Sequence, residues 1–308
     1  MIYTVTLDPM LDRVVRIEDL IYDDANHITE DHRRPSGKGI NVSRLIKELG
    51  GESISLGFAG GYTGLELTDL LAAEGLQPDF TRIKNETRAS LTIFQRKKRM
   101  QTLLCTTEPH LDKSEIEAFS RKMDAIPQGS SVVITGNVPS GMENSFFADL
   151  ITSLKKRNIK VFLDSDGAAF KLGVAAGPFM IKPNIFELNR LAGSQATQAK
   201  EIREVAAPYR DIVEYIVVSL GPRGAIGISK EGNYHAKPPR VNARNASSGA
   251  GDALLGGFVS VFTQSGSFEE SLKMGVACGT ATRLGISGTI GRKNDIDTIN
   301  KEVIIEKF

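Results

Sequence analysis

The sequence predicts an α/β protein with a mostly parallel sheet covered by helices on both faces. Three observations predict it. Short β-branched runs recur along the chain, helical patterns lie between them, and the runs are continuously apolar rather than alternating. Continuous apolar character is what strands buried on both faces require. In order, residues 2–7, 53–58, 131–135, 160–163, 179–181 and 215–219 read as strands, each bounded by Gly, Pro or Asp. Residues 41–49, 65–73, 113–123, 145–156, 185–191 and 197–209 carry the apolar spacing of helices between them. Two further helices are predicted over 252–264 and 268–284, both rich in small residues that permit close packing.

Two segments break the pattern. Residues 13–34 alternate polar and apolar side chains, and residues 88–106 read as two strands around a charged turn at 95–99. A period of two suggests strands with one wet face, so together they predict a small antiparallel sheet projecting from the main body. The run Arg96-Lys97-Lys98-Arg99 has no aromatic neighbours and reads as a solvated hairpin tip.

Composition narrows the function. The chain has 308 residues, 38 Lys+Arg against 37 Asp+Glu, and a net charge of +1. Such a balance provides no long-range field for nucleic acid or anionic lipid. Neither class of partner is expected. Cys105 and Cys278 are far apart and flanked by small or apolar residues, which predicts two reduced, buried thiols. His27, His32, His110 and His235 are scattered without zinc-ligand spacing. The N-terminus runs straight into a strand pattern without a leader, and no apolar run approaches the ~20 residues that span a bilayer. The expectation is a soluble cytoplasmic protein.

Two loops carry chemistry. In the first, Gly249-Ala250-Gly251-Asp252 enters a helix. A helix N-terminus presents unpaired N–H groups, and glycines let an anion approach closely, so the loop suits a phosphate. Asp252 then either accepts a proton from an attacking hydroxyl or simply caps the helix. The helix dipole is expected to hold its pKa low. In the second loop, Ser36-Gly37-Lys38-Gly39-Ile40-Asn41 leads into a helix that Asn41 could cap. A cation between glycines suits a polyhydroxyl or phosphorylated ligand, and a plain turn is the alternative.

Both loops resemble the two signatures of the PfkB-type (ribokinase-like) carbohydrate kinases. The resemblance extends across nearly the whole chain. Thr6-Leu7-Asp8-Pro9-Met10-Leu11-Asp12 is similar to the family's first-strand motif, and Gly57 to Gly64 to its second-strand turn. Thr87-Arg88 resembles the arginine at the substrate's phosphate, Lys182-Pro183-Asn184-Ile185-Phe186-Glu187 the N-x-x-E motif, and Ser219-Leu220-Gly221-Pro222-Arg223-Gly224 the nucleotide-site turn. Within the family the pattern is most similar to the 1-phosphofructokinases and tagatose-6-phosphate kinases.

The resemblance implies a ribokinase-like three-layer fold. Its core would comprise residues 1–11, 36–86 and 109–308, and its antiparallel β lid residues 12–35 and 87–108. It implies ATP and Mg²⁺, with a phosphorylated ketohexose as acceptor, fructose 1-phosphate ahead of tagatose 6-phosphate. Asp252 would be the base beside Gly249, Ala250 and Gly251. Asp12, Gly37, Gly39, Asn41 and Asn137 would surround the sugar, and Lys38 with Arg88 would bind its phosphate. Lys182, Asn184, Glu187, Ser219, Gly221, Gly224 and Ser248 would face the nucleotide, with Asn184 and Glu187 ordering Mg²⁺ through water. The family's lids often pair, so a homodimer through the lid is a further expectation. Ser36, Asp8, Ser90 and Asn137 depart from the family pattern, and the last two leave the sugar's identity open. A kinase of an uncharged sugar or nucleoside, with Lys38 on the transferring phosphate, is one alternative. A sugar-phosphate sensor without catalysis is another.

Overall fold

The computed structural model describes residues 1–243, 249–285 and 289–308. The chain opens with β1 (Ile2–Thr6), leaves the core for β2 (Met10–Ile17) and β3 (Glu30–Ser36), and returns with α1 (Lys38–Glu48). β4 (Ser53–Gly60) and α2 (Gly61–Ala73) follow, then the short β5 (Gln77–Pro78) and β6 (Thr81–Ile83). A second excursion forms β7 (Ala89–Gln95) and β8 (Met100–Cys105). Helix and strand then alternate through α3 (Lys113–Asp124), β9 (Ser131–Thr135), α4 (Phe146–Lys156), β10 (Lys160–Asp164), α5 (Gly167–Ala175) and β11 (Met180–Ile181). α6 (Ile185–Ala192) and α7 (Ala199–Ala206) precede β12 (Tyr215–Ser219), β13 (Ala225–Ser229) and β14 (Asn233–Lys237). The chain ends with α8 (Ala250–Ser265), α9 (Phe268–Thr282), α10 (Lys293–Glu302) and β15 (Ile304–Lys307).

Among the described residues the main sheet has eleven strands, in the order β15-β14-β13-β12-β11-β10-β9-β1-β4-β5, with β6 also on β4. Pairing is parallel from β5 to β12 and antiparallel from β12 to β15. The continuous apolar strands have the expected cause. In β9, Val132 and Ile134 pack on one side with Phe119, Phe147 and Leu188, while Val133 packs on the other with Leu45, Phe258 and Leu272. In β10, Phe162 points into the second layer, against the rings of Phe179, Phe258 and Phe262. Truncating it to Ala is expected to cost ~3–5 kcal/mol, transfer and cavity terms together. The small residues of α8 and α9 also do what was expected of them. A Cβ on Gly257 would lie 2.5 Å from Cys278 Sγ, and one on Gly275 would lie 2.8 Å from the Leu254 carbonyl oxygen.

The second, smaller sheet has the order β3-β2-β7-β8. Its outer pairs are antiparallel, but β2 and β7 run parallel to each other. Both strands leave the core from the same end of the main sheet, which gives them one direction. At its tip, Arg96 pairs with Glu18 (3.3 Å) and Lys98 with Asp19 (2.7 Å), so two of the four cations in the basic run are paired with carboxylates at a hairpin turn.

Several expectations need correction. α1 begins at Lys38, capped by Gly37, so Asn41 is not its cap. α2 also begins earlier than predicted, at Gly61, and α7 stops at Ala206 before a single 3₁₀ turn. α5, α10 and the three antiparallel strands at the C-terminal edge, β13 to β15, lie outside the predicted elements. Cys278 is buried as expected, and burial pushes its thiol pKa up. Cys105 is exposed, because β8 is an edge strand with every residue open to solvent. Among the described residues no helix is long and apolar enough to cross a membrane.

Candidate active site

The parallel strands β1, β9, β10, β11 and β12 present their C-terminal ends to one cleft of about 1100 Å³, lined by Thr6, Thr135, Asp164, Lys182 and Ser219 among others. Ligands of open α/β sheets bind at such ends, where loops and helix N-termini converge. Of the candidate residues, Gly37, Lys38, Asn41, Arg88, Asn137, Lys182, Asn184, Glu187, Ser219, Gly221, Gly224, Gly249, Ala250, Gly251 and Asp252 line it together. Gly39 and Asp12 do not. A Cβ on Gly39 would lie 2.6 Å from Thr6 Oγ1, so this glycine lets α1 sit against β1. Asp12 belongs to the smaller sheet, where it accepts a hydrogen bond from Ser90 Oγ at 2.5 Å. Ser248 lies outside the described residues.

One end of the cleft is highly charged and, apart from the half-exposed Lys38, dry. Gly249, at φ 81°, turns the chain into α8 and is its N-cap, so Asp252 is not the cap. The free N–H groups of that first turn face the cleft side of the helix N-terminus. Asp252 is buried and accepts a hydrogen bond from Asn41 Nδ2 at 2.9 Å. Its pKa is raised to about 6, mainly by burial and then by the nearby Asp164 carboxylate, with Asn41, Lys182 and Lys38 pulling the other way. The helix dipole was expected to hold this pKa low, and desolvation outweighs it. Lys182 is buried too, 3.0 Å from Asp164 Oδ2. Burial alone would pull its pKa down, yet Asp164 reverses the direction to upward and keeps the ammonium charged. Its Nζ lies 3.5 Å from where a Gly251 Cβ would be, so a positive charge underlies the glycine turn. Lys38 Nζ is 3.9 Å from Asp164 Oδ1.

The opposite end is wetter. Arg88, 29% exposed, holds its Nε 2.6 Å from Asp8 Oδ2. Burial raises the Asp8 pKa to about 6, Arg88 opposes the rise, and Glu108 adds to it. Glu108 in turn accepts hydrogen bonds from the Ser140 hydroxyl (2.6 Å) and amide (2.8 Å), which lower its own pKa. The two candidate cations therefore have different anionic neighbours: Arg88 has Asp8 and Glu108, whereas Lys38 has Asp164 and also acts on Asp252, Glu187 and Asp166.

Along the third wall, Asn184 and Glu187 form a reciprocal cap on α6. Asn184 Oδ1 accepts from the Phe186 and Glu187 amides, and Glu187 Oε2 accepts from the Asn184 amide at 2.7 Å. The N-x-x-E spacing thus has a structural job of its own. Glu187 is partly desolvated, which raises its pKa. The turn after β12 needs its glycine: Gly224 has φ +86°, and a Cβ there would lie 1.9 Å from the Ala236 carbonyl oxygen. Among the described residues no three His, Cys, Asp or Glu side chains cluster tightly enough to cage a metal.

Sequence reasoning missed Asp164, Asp8 as the partner of Arg88, and Glu108. Asp164 had one available signal, an acidic residue ending an otherwise apolar strand.

The fold and cleft define a nucleotide-dependent sugar kinase of the ribokinase-like architecture, and similarity to known proteins agrees. Residues 1–293 match the pfkB family carbohydrate kinases, and the chain belongs to that family. It is 32% identical to the 1-phosphofructokinase of Bacillus subtilis (strain 168), with 100% of each chain covered. It is 30% identical to a tagatose-6-phosphate kinase of Staphylococcus epidermidis, over 91% of each. The crystal structure of phosphofructokinase-2 from Escherichia coli in complex with potassium superposes with a TM-score of 0.90 at 30% identity, covering 98% of both chains.

Proposed function

We propose that this chain is an ATP-dependent 1-phosphofructokinase, moving the γ-phosphoryl group of ATP to the free primary hydroxyl of fructose 1-phosphate. The observation that carries it is the pairing, in one cleft, of a buried carboxylate at a glycine-rich helix N-terminus with a separate arginine site. The N–H groups of Gly249–Gly251 would stabilise charge on the transferring phosphoryl. The acceptor oxygen bonds to that phosphorus as the bridge to ADP breaks, and the hydroxyl proton passes to Asp252. A base with a pKa of about 6 is ionised at neutral pH and still strong enough to take that proton.

Lys38 is assigned to the transferring group, and not with Arg88 to the acceptor's phosphate as the family resemblance implies, because it faces Asp164 and acts on Asp252 beside the glycine turn. Arg88 is assigned to the acceptor's existing phosphate. Its Nε faces Asp8, and the remaining guanidinium donors suit a phosphate fork. Asp12 and Ser90, on the smaller sheet, would meet the sugar when that sheet lowers as a lid and excludes water. Mg²⁺ would be held through its waters by Glu187 and Asn184 and would neutralise charge on the phosphate oxygens. Glu187 suits that role, since one of its oxygens is committed to the cap and, among the described residues, no group of three carboxylate, histidine or cysteine ligands is present to cage the ion directly. Leu103 and Leu104 on β8 are exposed, and a second copy packing there through the lid would cover them. The assigned compartment is the cytoplasm.

A second reading, a tagatose-6-phosphate kinase, is favoured by the 30% identical relative of that name. A coupled ADP-release assay across fructose 1-phosphate, tagatose 6-phosphate, fructose 6-phosphate and unphosphorylated hexoses separates them. Fructose 1-phosphate is expected to give the highest kcat/KM. A preference for an unphosphorylated hexose would overturn the reading.

A further inference from the structure

Asn41, the hydrogen-bond donor to Asp252, has an amide that could point either way. If it pointed the wrong way, its oxygen would face the carboxylate and repel it. The neighbouring Arg44 prevents this. Arg44 Nη1 donates to Asn41 Oδ1 at 3.2 Å, and a guanidinium has donors but no acceptor. Only the orientation with Oδ1 toward Arg44 and Nδ2 toward Asp252 satisfies both neighbours.

Arg44 is itself fixed. It is 8% exposed and one turn beyond Asn41 on α1. Its Nε and Nη2 form a fork on Glu74, at 2.6 and 2.8 Å, and Nη2 also donates to the Pro35 carbonyl at 2.8 Å. Glu74 closes the C-terminal end of α2, and Pro35 lies where β3 of the smaller sheet rejoins the core. A buried arginine that spends its donors on three separate elements is a costly way to stabilise a helix surface. It is an effective way to hold one amide.

We propose that Arg44, locked by Glu74 and the Pro35 carbonyl, is a positioning residue for phosphoryl transfer that fixes the Asn41 amide so that its NH₂ group faces Asp252. The proposal rests on the reading of Asp252 as the base. Other charges also face these groups: Asp164, Lys182 and Lys38 face Asp252, and Arg34 and Glu74 face Arg44. Lys182 and Lys38 attract the ionised Asp252, whereas Asn41 directs a hydrogen bond at its Oδ2. When the amide turns, that bond is lost, Asp252 holds its proton more tightly, and the fraction of ready base falls.

The test is a set of variants assayed with ATP and fructose 1-phosphate: Arg44→Met, Arg44→Lys, Asn41→Ala and the Asn41→Ala/Arg44→Met double variant. Arg44→Met is expected to lower kcat about 10- to 100-fold, with KM for ATP nearly unchanged, and to move the acidic limb of the kcat–pH profile upward by about one unit. Arg44→Lys keeps a donor and should recover part of the loss. The double variant should be no slower than Asn41→Ala alone, because the two act as a unit. Losses that multiply, or an acidic limb that stays in place while the melting temperature falls, would reduce Arg44 to a structural residue and overturn the proposal. If Arg44→Met does not fold, Glu74→Gln replaces it, since Glu74 is partly exposed. A shift of the limb in the same direction supports the proposal, and an unmoved limb overturns it. Full turnover by Asp252→Asn would instead defeat the function reading on which the proposal rests.

Discussion

The two ends of the cleft solve opposite problems with similar residues. At the dry end, Asp252, Asp164 and Lys182 are all buried on the rigid sheet and α8, and each is held by the others or by Asn41. At the wet end, Arg88 and Asp8 are paired but partly open, where β7 of the smaller sheet begins. Groups that handle a proton and a transferring phosphoryl gain from desolvation, because low dielectric strengthens each interaction and shifts pKa values. A group that captures a charged substrate from water gains from access instead. The difference predicts that damage to the dry end lowers kcat, while damage to the wet end raises KM.

The largest effect is expected at the base. Asp252→Asn should lower kcat by about 10³-fold or more while calorimetric ATP affinity stays within a fewfold, the pattern of an interaction made in the transition state. The same variant should raise the melting temperature. The folded-state pKa lies above the unfolded value, so ionised Asp252 is disfavoured in the folded protein at neutral pH, and a neutral residue removes that penalty. Next comes the buried pair. Lys182→Met leaves the buried Asp164 with only the longer contact to half-exposed Lys38 and should cost about 3 kcal/mol in chemical denaturation, with much of the loss regained in Lys182→Met/Asp164→Leu. Regained stability without regained activity would separate the structural from the catalytic part of the pair. The smallest effect is set by pH. Asp252 must be ionised to act, so kcat at pH 5 should be about one tenth of its plateau for a group that titrates near 6. A kcat that is flat down to pH 5 would break the link between that carboxylate and turnover.

Much of the dry end could be read from the sequence because it depends on local motifs. The glycine turn before α8, Lys38 between glycines and the N-x-x-E run each place a helix N-terminus at the cleft within a few residues of chain. What escaped was made by distance. Asp164 and Lys182 meet only because β10 and β11 are neighbours, and Asp8 meets Arg88 across 80 residues of sequence. The low pKa expected for Asp252 failed for the same reason, since a helix dipole is local and burial is a property of the whole fold. In the sheet, the continuous apolar strands were readable. The antiparallel edge from β13 to β15 was not: β14 and β15 are short, partly charged and open to solvent, and β13, though apolar and buried throughout, is only five residues long and interrupted by Gly227.

The most direct test of the division between the two ends is the acceptor preference of Arg88→Ala. kcat/KM for fructose 1-phosphate and for fructose should be measured side by side with the unaltered protein. The preference for the phosphorylated sugar is expected to fall about 100-fold through KM, with kcat at saturation largely kept, as loss of a charge-assisted phosphate contact requires. Equal losses on both sugars, or a collapse of kcat, would contradict it.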